Sequence, residues 1–427
     1  MPKVRLEQYQ DMIGRLFPQE NPGEGSLTKT ITFQVTDDCN LACTYCYQIN
    51  KGKRVMSFET AKKVIDMLLD NTNTSGYLDN SPGIVIEFIG GEPFLQIDLI
   101  DKICDYFLIQ AIMKKHPWAT RYRFSICSNG VLYFDERVQR FLKKHLRDLS
   151  FSITIDGDKE LHNSCRIFPN GNPSYDIAVA AANHYMNVLG GFMGSKITIA
   201  PENVKYLANA IIHMVELGYT DINANCVYEK GWEIEHAREL YKQMCIISDY
   251  WQENNLYETH QCSLFSEDGF CPMEPDDNQN WCGGTGHMLA VDPDGKLFPC
   301  IRYMESSLGA DIEPIIIGDV DKGIGCTECQ RNWINRLKSI TRKSQSTEEC
   351  FNCKIAKLCA WCSAYCYQDN GDPNIRSIYI CIMHKARALG NVYFWNNYYK
   401  ANNIDKEFIN YLDEEDINNI LEVNSDE

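Results

Sequence analysis

The sequence predicts an α/β chain: six strand–helix units in series, then a small cysteine-rich domain with irregular and hairpin structure, then a C-terminal helix. Three observations carry this. Short β-branched or aromatic runs alternate with segments of helical periodicity through the first two-thirds of the 427 residues. Beyond about residue 255 the periodicity fades while Cys, Gly and Pro increase. Twelve of the 20 cysteines fall between Cys262 and Cys381. The expected divisions are an N-terminal extension over 1–27, a β/α region over 28–255, a cysteine-rich region over 256–385 and a helical, acidic tail over 386–427.

The strands are KTITFQV (29–35), GIVIEFIG (83–90), RYRFSICS (121–128), LSFSITID (149–156), KITIAP (196–201) and TDINANC (220–226), each ending near turn residues. Helical segments separate them. MSFETAKKVIDMLLDN places Val64, Ile65, Leu68 and Leu69 on one face, with Ser57 as N-cap. LIDKICDYFLIQAIMKK, FDERVQRFLKKHL, SYDIAVAAANHYMNVL, NVKYLANAIIHMVELG and a helix near 233–254 follow. Six such units imply a parallel sheet with helices outside, either doubly wound or curved into a barrel. Both place chemistry at the C-terminal ends of the strands. There stand three cysteines after strand 1, Gly90-Gly91-Glu92-Pro93 after strand 2, Ser128-Asn129-Gly130 after strand 3 and Asp156-Gly157 after strand 4. In the second region, HMLAVDPDGKLFPC reads as a hairpin turning at Asp-Pro-Asp-Gly.

Composition narrows the class. No segment is apolar and long enough to span a bilayer, and MPKVRLEQYQDMIGRLFPQE lacks a signal-peptide core, so a cytoplasmic protein without a membrane partner is expected. A net charge of −17 without a basic run argues against nucleic acid. Part of that charge sits in the tail, which reads as a solvated helix, with docking of a basic leader peptide as the alternative. Twenty cysteines in a cytosolic chain of this size point to metal or cluster ligation rather than disulfides.

TDDCNLACTYCYQ brings Cys39, Cys43 and Cys46 together. Three thiolates hold three corners of a [4Fe–4S] cubane and leave one iron open, whereas a structural zinc takes four ligands. A zinc loop with a remote fourth ligand is the competing reading. The spacing C-x3-C-x2-C after the first strand, with aromatic Tyr47 following, resembles the signature of the radical S-adenosylmethionine (SAM) superfamily. The resemblance implies a partial (β/α)6 barrel of TIM type. It implies that SAM completes the open iron and that a reduced cluster cleaves it to a 5′-deoxyadenosyl radical. It places Tyr45, Gly90, Gly91, Glu92, Ser128, Asn129, Ser152, Asp156 and Arg166 around SAM, with Glu92 facing the ammonium and Arg166 the carboxylate.

Cys282-x12-Gly295-x4-Cys300, then Cys350-x2-Cys353-x5-Cys359, then Cys381, is similar to the SPASM extension of radical SAM enzymes that modify peptides. That resemblance implies two auxiliary iron–sulfur clusters. Cys350, Cys353, Cys359 and Cys381 would hold one; Cys282, Cys300 and Cys362 would serve the other, with Cys366 or Cys271 as fourth ligand, or with an iron open to a substrate thiolate. Cys362 follows Cys359 after two residues where the family has three, so this end of the pattern departs from it. Structural zinc is again the competing reading. Cys326 and Cys329 form a close pair outside the pattern, and Cys104, Cys127, Cys226 and Cys245 read as small buried hydrophobes.

Within the family, maturases of cysteine-containing ribosomal peptides, the thioether-forming sactipeptide type, are the most similar. The implied substrate is a Cys-containing precursor peptide, and the implied reductant a flavodoxin or ferredoxin. Sulfatase maturation and carbon–carbon peptide cyclisation are the alternatives. The former is disfavoured because Ile301 and Arg302, not Asp, follow Cys300. A cluster protein serving only electron transfer would not need the SAM pocket. Only about 28 residues precede strand 1, so leader recognition is assigned to a separate protein or to a surface of this chain. No general base is singled out by spacing.

Overall fold

A computed structural model describes residues 29–70, 77, 81–228, 230–280, 282–309 and 311–422. The 1–27 extension lies outside the described residues.

Four strands form the expected parallel array: β1 (Lys29–Thr36), β2 (Ile84–Gly90), β3 (Tyr122–Ser128) and β4 (Leu149–Ile153), in register Lys29 to Ile84, Ile84 to Tyr122 and Phe124 to Leu149. Their residues alternate strictly. Ile31, Phe33, Val35, Ile86, Phe88, Phe124, Ile126, Phe151 and Ile153 are buried on one face. Thr32, Glu87, Cys127 and Ser152 occupy the other. A parallel sheet buried on both faces would be apolar on both; this one keeps a polar inner face.

The apolar face is covered by α1 (Phe58–Asp70), α2 (Ile97–Met113), α3 (Glu136–Lys144), a short α4 (Lys159–Cys165) and α5 (Tyr175–Asn187). Ser57 caps α1 by accepting from Thr60 N at 3.0 Å, and Val64, Ile65, Leu68 and Leu69 are buried as the periodicity predicts.

The fifth and sixth strands do not join this sheet by backbone pairing. β5 (Ile197–Ile199) pairs in parallel with β7 (Ala224–Cys226), and the expected strand over 220–226 is split. Its first half, β6 (Asp221–Ile222), pairs with β8 (Gln261–Cys262). Asn223 marks the change, its N–H bonded to Ser195 Oγ at 3.0 Å and its amide to Asp221 Oδ2 at 3.0 Å. Helices α6 (Leu207–Glu216) and α7 (Ile234–Glu253) complete this part.

The cysteine-rich region extends the main sheet. β9 (Met288–Val291) pairs in parallel with β1 from Thr30 to Met288. It turns at Asp292–Gly295 into β10 (Lys296–Phe298), followed by β11 (Gly318–Asp319) and β12 (Gly323–Ile324), all antiparallel. The turn is the one expected: Asp292 Oδ1 accepts from Lys296 N at 2.8 Å, and Gly295 takes φ +87°. The eight-stranded order is β12-β11-β10-β9-β1-β2-β3-β4. Helices α8 (Glu328–Lys338) and α9 (Ser363–Asn370) follow.

The C-terminal helix begins earlier than expected. α10 runs over Cys381–Ala401 and buries Met383, Leu389 and Phe394, so it belongs to the core. It packs on α7, where Met244, Ile247 and Trp251 are buried. Each such side chain contributes about 1.5–3 kcal/mol when fully buried. Gly390 sets the spacing, since a Cβ there would stand 2.7 Å from Met244 Sδ. The acidic end, α11 (Glu414–Leu421), turns its charges onto the chain itself: Asp413 pairs with Lys354, Asp416 with Lys385 and Glu422 with Arg238.

Candidate functional site

The loop after β1 carries Cys39, Cys43 and Cys46, all half-buried and none in a disulfide. Two segments clamp it. From β2, Glu92 N donates to Asp38 O at 2.9 Å and Gly91 N to Thr36 O at 3.1 Å. A Cβ on Gly91 would meet Asp38 O at 2.2 Å, and one on Gly90 would meet Thr36 O at 2.7 Å. The two glycines therefore seat the cysteine loop. From the other side, Ala42 N donates to Ile167 O at 2.8 Å and Thr44 N to Cys165 O at 3.0 Å. The chain flanking Arg166 thus runs along the loop as a second rail.

Glu92 is 1% exposed and is first a brace. Its carboxylate accepts from Phe94 N at 3.1 Å, Ser128 Oγ at 2.8 Å and Asn129 N at 2.9 Å. Three of its roughly four acceptor positions are thereby used within the chain. Burial raises its pKa, against the pull of these hydrogen bonds. Asn129 in turn donates to Asn40 Oδ1 at 2.7 Å, with Cys39 Sγ at 4.0 Å. Asn40 was not singled out from sequence, although it sits between the first two cysteines.

Arg166 brings a second set together. Its Nε donates to Asp156 Oδ2 at 2.8 Å, its Nη1 points at Cys43 Sγ at 3.8 Å, and its guanidinium lies 5.4 Å from the Tyr45 ring. Tyr45 also donates to Asp156. Burial works against the Arg166 charge, and Asp156, Tyr45 and Cys43 more than offset it. Behind them His162 receives Asp156 N on Nδ1 and reaches Ser174 Oγ at 3.0 Å, while Ser174 Oγ donates to Arg166 O at 2.7 Å. His162 and Ser174 are supporting residues the sequence did not reveal. Among the described residues Asp156 Oδ1 is buried without a hydrogen-bond partner.

Of the two tyrosines around Cys46, Tyr45 thus faces Arg166, whereas Tyr47 turns the other way. Its ring lies 5.7 Å from the Arg302 guanidinium, which is also 5.7 Å from Tyr365. Ser152 stands on the polar face of β4, opposite Cys127. Cys127 is not a buried hydrophobe: it is half-buried on that face, its sulfur 3.3 Å from Thr154 Oγ1. Cys245 is half-buried too, whereas Cys104 and Cys226 are buried as expected.

The later cysteines fall into two groups. Burial pushes Cys359 up to about 12; Arg376, whose Nη2 is 3.2 Å from its sulfur, opposes this, and Cys381, Cys350 and Cys353 add to it. Cys300 and Cys362 are likewise raised by burial and by each other's neighbour Cys282, whose sulfur is 3.1 Å from Ser363 Oγ. Cys366 adjoins this group, being raised by burial and, more weakly, by Cys282. Cys271 instead points to Asp268 O at 3.9 Å. Cys326 and Cys329 are exposed at the start of α8 and belong to neither group.

Zinc at 2.3 Å from four sulfurs would bring them about 3.8 Å apart. Among the described residues the only three ligand-type side chains with donor atoms within 4.8 Å of one another are Asp101, Asp105 and His145, and Lys144 already bonds both aspartates. No three cysteine sulfurs lie that close together among the described residues.

Residues 33–242 match the radical SAM superfamily. This chain carries a radical SAM domain. The chain is 30% identical over 205 residues, 48% of its length, to an uncharacterized protein of Methanocaldococcus jannaschii; the match spans 65% of that relative's length. The radical SAM cyclopropyl synthase TigE of Paramaledivibacter caminithermalis is 20% identical over 83% of this chain and 71% of its own. The subtilosin biosynthesis protein AlbA of Bacillus subtilis is 24% identical over 65% and 56%. Among solved structures, native anSMEcpe with bound AdoMet and Kp18Cys peptide superposes with a TM-score of 0.64 at 18% identity, covering 88% of this chain and 99% of that one. Streptococcus suis SuiB bound to precursor peptide SuiA gives 0.55 at 15%, covering 88% and 80%. These two structures share the fold of this chain over 88% of its length. No described helix is long and apolar enough to cross a membrane.

Proposed function

We propose that this protein is a radical SAM peptide maturase whose product is a thioether between a substrate cysteine and a carbon of the same precursor peptide. The observation that carries the reading is the clamped loop of Cys39, Cys43 and Cys46, with Arg166, itself paired with Asp156, pointing at Cys43. Cys39, Cys43 and Cys46 would hold a [4Fe–4S] cluster, and SAM would complete it; together they supply one-electron cleavage to a carbon radical. Arg166 suits the SAM carboxylate because its fork is held by Asp156 and Tyr45. Gly90 and Gly91 expose backbone carbonyls to the SAM ammonium, and Glu92 holds Ser128 and Asn129 in place beside it. The polar inner face, with Thr32, Glu87, Cys127 and Ser152, is the wall a peptide would meet.

Cys350, Cys353, Cys359 and Cys381 would bind one auxiliary cluster and Cys282, Cys300 and Cys362 the other, with Cys366 as its nearest further thiol. The likenesses to AlbA, to TigE and to structures holding peptides support a peptide substrate. A flavodoxin or ferredoxin as electron source and a separate leader-recognition protein complete the reading. Carbon–carbon bond formation is the second reading, favoured by the long match to TigE. Against sulfatase maturation stands Arg302, held between Tyr47 and Tyr365 where that group would carry an aspartate.

The test is iron and sulfide per chain after anoxic reconstitution, together with release of 5′-deoxyadenosine from SAM. Wild type is expected to hold about twelve irons, and the Cys39/Cys43/Cys46→Ala variant about eight, with no SAM cleavage. About four falling to none, with zinc bound, would remove the auxiliary clusters from the reading. SAM cleavage by the triple variant would remove the radical assignment.

A further inference from the structure

A cavity of about 390 Å³ lies beside β7, lined among others by Asn225, Tyr228, Ser263, Leu358, His384 and Arg387. None of its lining residues belongs to the Cys39–Cys46 loop, and none is a cysteine of either auxiliary group. Its wall holds two polar groups without partners. His384 is 1% exposed; its Nε2 donates to Ala360 O at 3.1 Å, so Nδ1 is an acceptor, and that atom is buried with nothing to accept from. Arg387 Nε is buried with no acceptor. Among the described residues no carboxylate forms an ion pair with Arg387; its neighbour is the Phe270 ring, 5.4 Å away.

A water could satisfy either orphan atom, but not the charge. Arg387 is half-buried, so an anion in the cavity would gain a charge-assisted hydrogen bond from it. The auxiliary thiols do not supply that anion. Arg376 bonds Cys359 at 3.2 Å, and Arg302 stands beside Cys300 and Cys362. His384 and Arg387 are i and i+3 on α10, so their free groups face the same way. Together they ask for a ligand with an anionic acceptor and, next to it, a hydrogen-bond donor. A carboxylate alone meets only Arg387, and phosphate offers a second charge that one arginine does not balance. A chain end of a peptide has both parts: a carboxylate, and the amide N–H of the same residue. The apolar wall of Leu358, Phe265 and Met383 would take a side chain.

We propose that this cavity binds the carboxyl-terminal residue of a peptide, with the carboxylate on Arg387 and the amide N–H on His384 Nδ1. Only the identity of that peptide as the substrate rests on the maturase reading; the site itself stands on the cavity.

The test is phenylglyoxal labelling of Arg387 in the reconstituted full chain, read by peptide mass spectrometry, at constant ionic strength. N-acetylalanine and a longer peptide with a free carboxyl end should slow labelling several-fold. Acetate should protect less, and N-acetylalaninamide not at all. Protection by N-acetylalanine but not by the longer peptide assigns the cavity to a free N-acyl amino acid and overturns the peptide assignment. No protection by any, or equal protection by inorganic phosphate, overturns the site. Binding of N-acetylalanine measured by equilibrium dialysis should be lost in Arg387→Gln and reduced in Arg387→Lys. Because the labelling uses wild type, it decides the question even if the variants do not fold. Release of 5′-deoxyadenosine from the same sample reports separately on the maturase reading.

Discussion

Arg166 shows how much one side chain is asked to do near the cysteine loop. It ion-pairs with Asp156, stacks near Tyr45, points at Cys43, and its backbone carbonyl receives Ser174. Lysine keeps the charge but not the planar fork. Arg166→Lys is therefore expected to weaken SAM binding by about tenfold, or ~1.4 kcal/mol, measured by anoxic equilibrium dialysis; unchanged affinity would reject the assigned contact. His162 carries a pH dependence. Burial and the nearby Arg166 charge push it down to about 4. Between pH 6.5 and about 4 the unfolded chain binds a proton that the folded chain refuses, so stability falls as the pH drops through that window. From pH 7 to pH 5 this group alone removes about 2 kcal/mol. His162→Asn should flatten part of the thermal-stability profile over that range, and a profile as steep as wild type would refute it. Arg166 and the cysteines were legible because they belong to a spaced motif. His162 and Ser174 were not, because their work is to hold other residues, and holding leaves no pattern in a single sequence.

At the scale of elements, the glycines before Glu92 matter for the loop they touch. Gly91→Ala would drive a methyl group into Asp38 O and Cys39, and neither backbone has room to yield. Its expected effect is selective: iron falls from about twelve to about eight per chain, with the auxiliary clusters kept. Loss of all iron would mean that the substitution unfolds the chain instead. The strand periodicity made β1 to β4 readable from the sequence. The split at Asn223 was not readable, because which neighbour a two-residue strand pairs with is decided by Ser195 and by the distant β8, not by its own residues. The start of α10 was hidden for another reason. Cys381 reads as a cluster ligand at the end of a loop, and a ligand at the first turn of a helix looks the same in sequence.

The whole molecule is organised around a seam that the divisions drawn from composition do not show. Residue 255 separates two compositions, yet β9 lies against β1, and Arg54 bonds Asp37 on one side and Asp294 on the other. The Cys46–Tyr47 turn and the Cys300–Arg302 turn meet across the same seam. The two halves should therefore unfold together, in one transition by both near-ultraviolet circular dichroism and cluster absorbance. The proposed auxiliary sites are nonetheless expected to act separately from the Cys39–Cys46 loop. Cys359→Ala is expected to cost about four irons and leave SAM cleavage without substrate unchanged; full iron content would sink that ligand set. The seam also sets a timetable for synthesis. β1 leaves the ribosome early, but its β9 partner is encoded far downstream, at Met288. At about 5–20 residues per second, the nascent chain waits some tens of seconds with that edge open. An unpaired edge strand recruits other strands. Production of this protein should therefore depend on how quickly, and in what company, the second half of the message is translated.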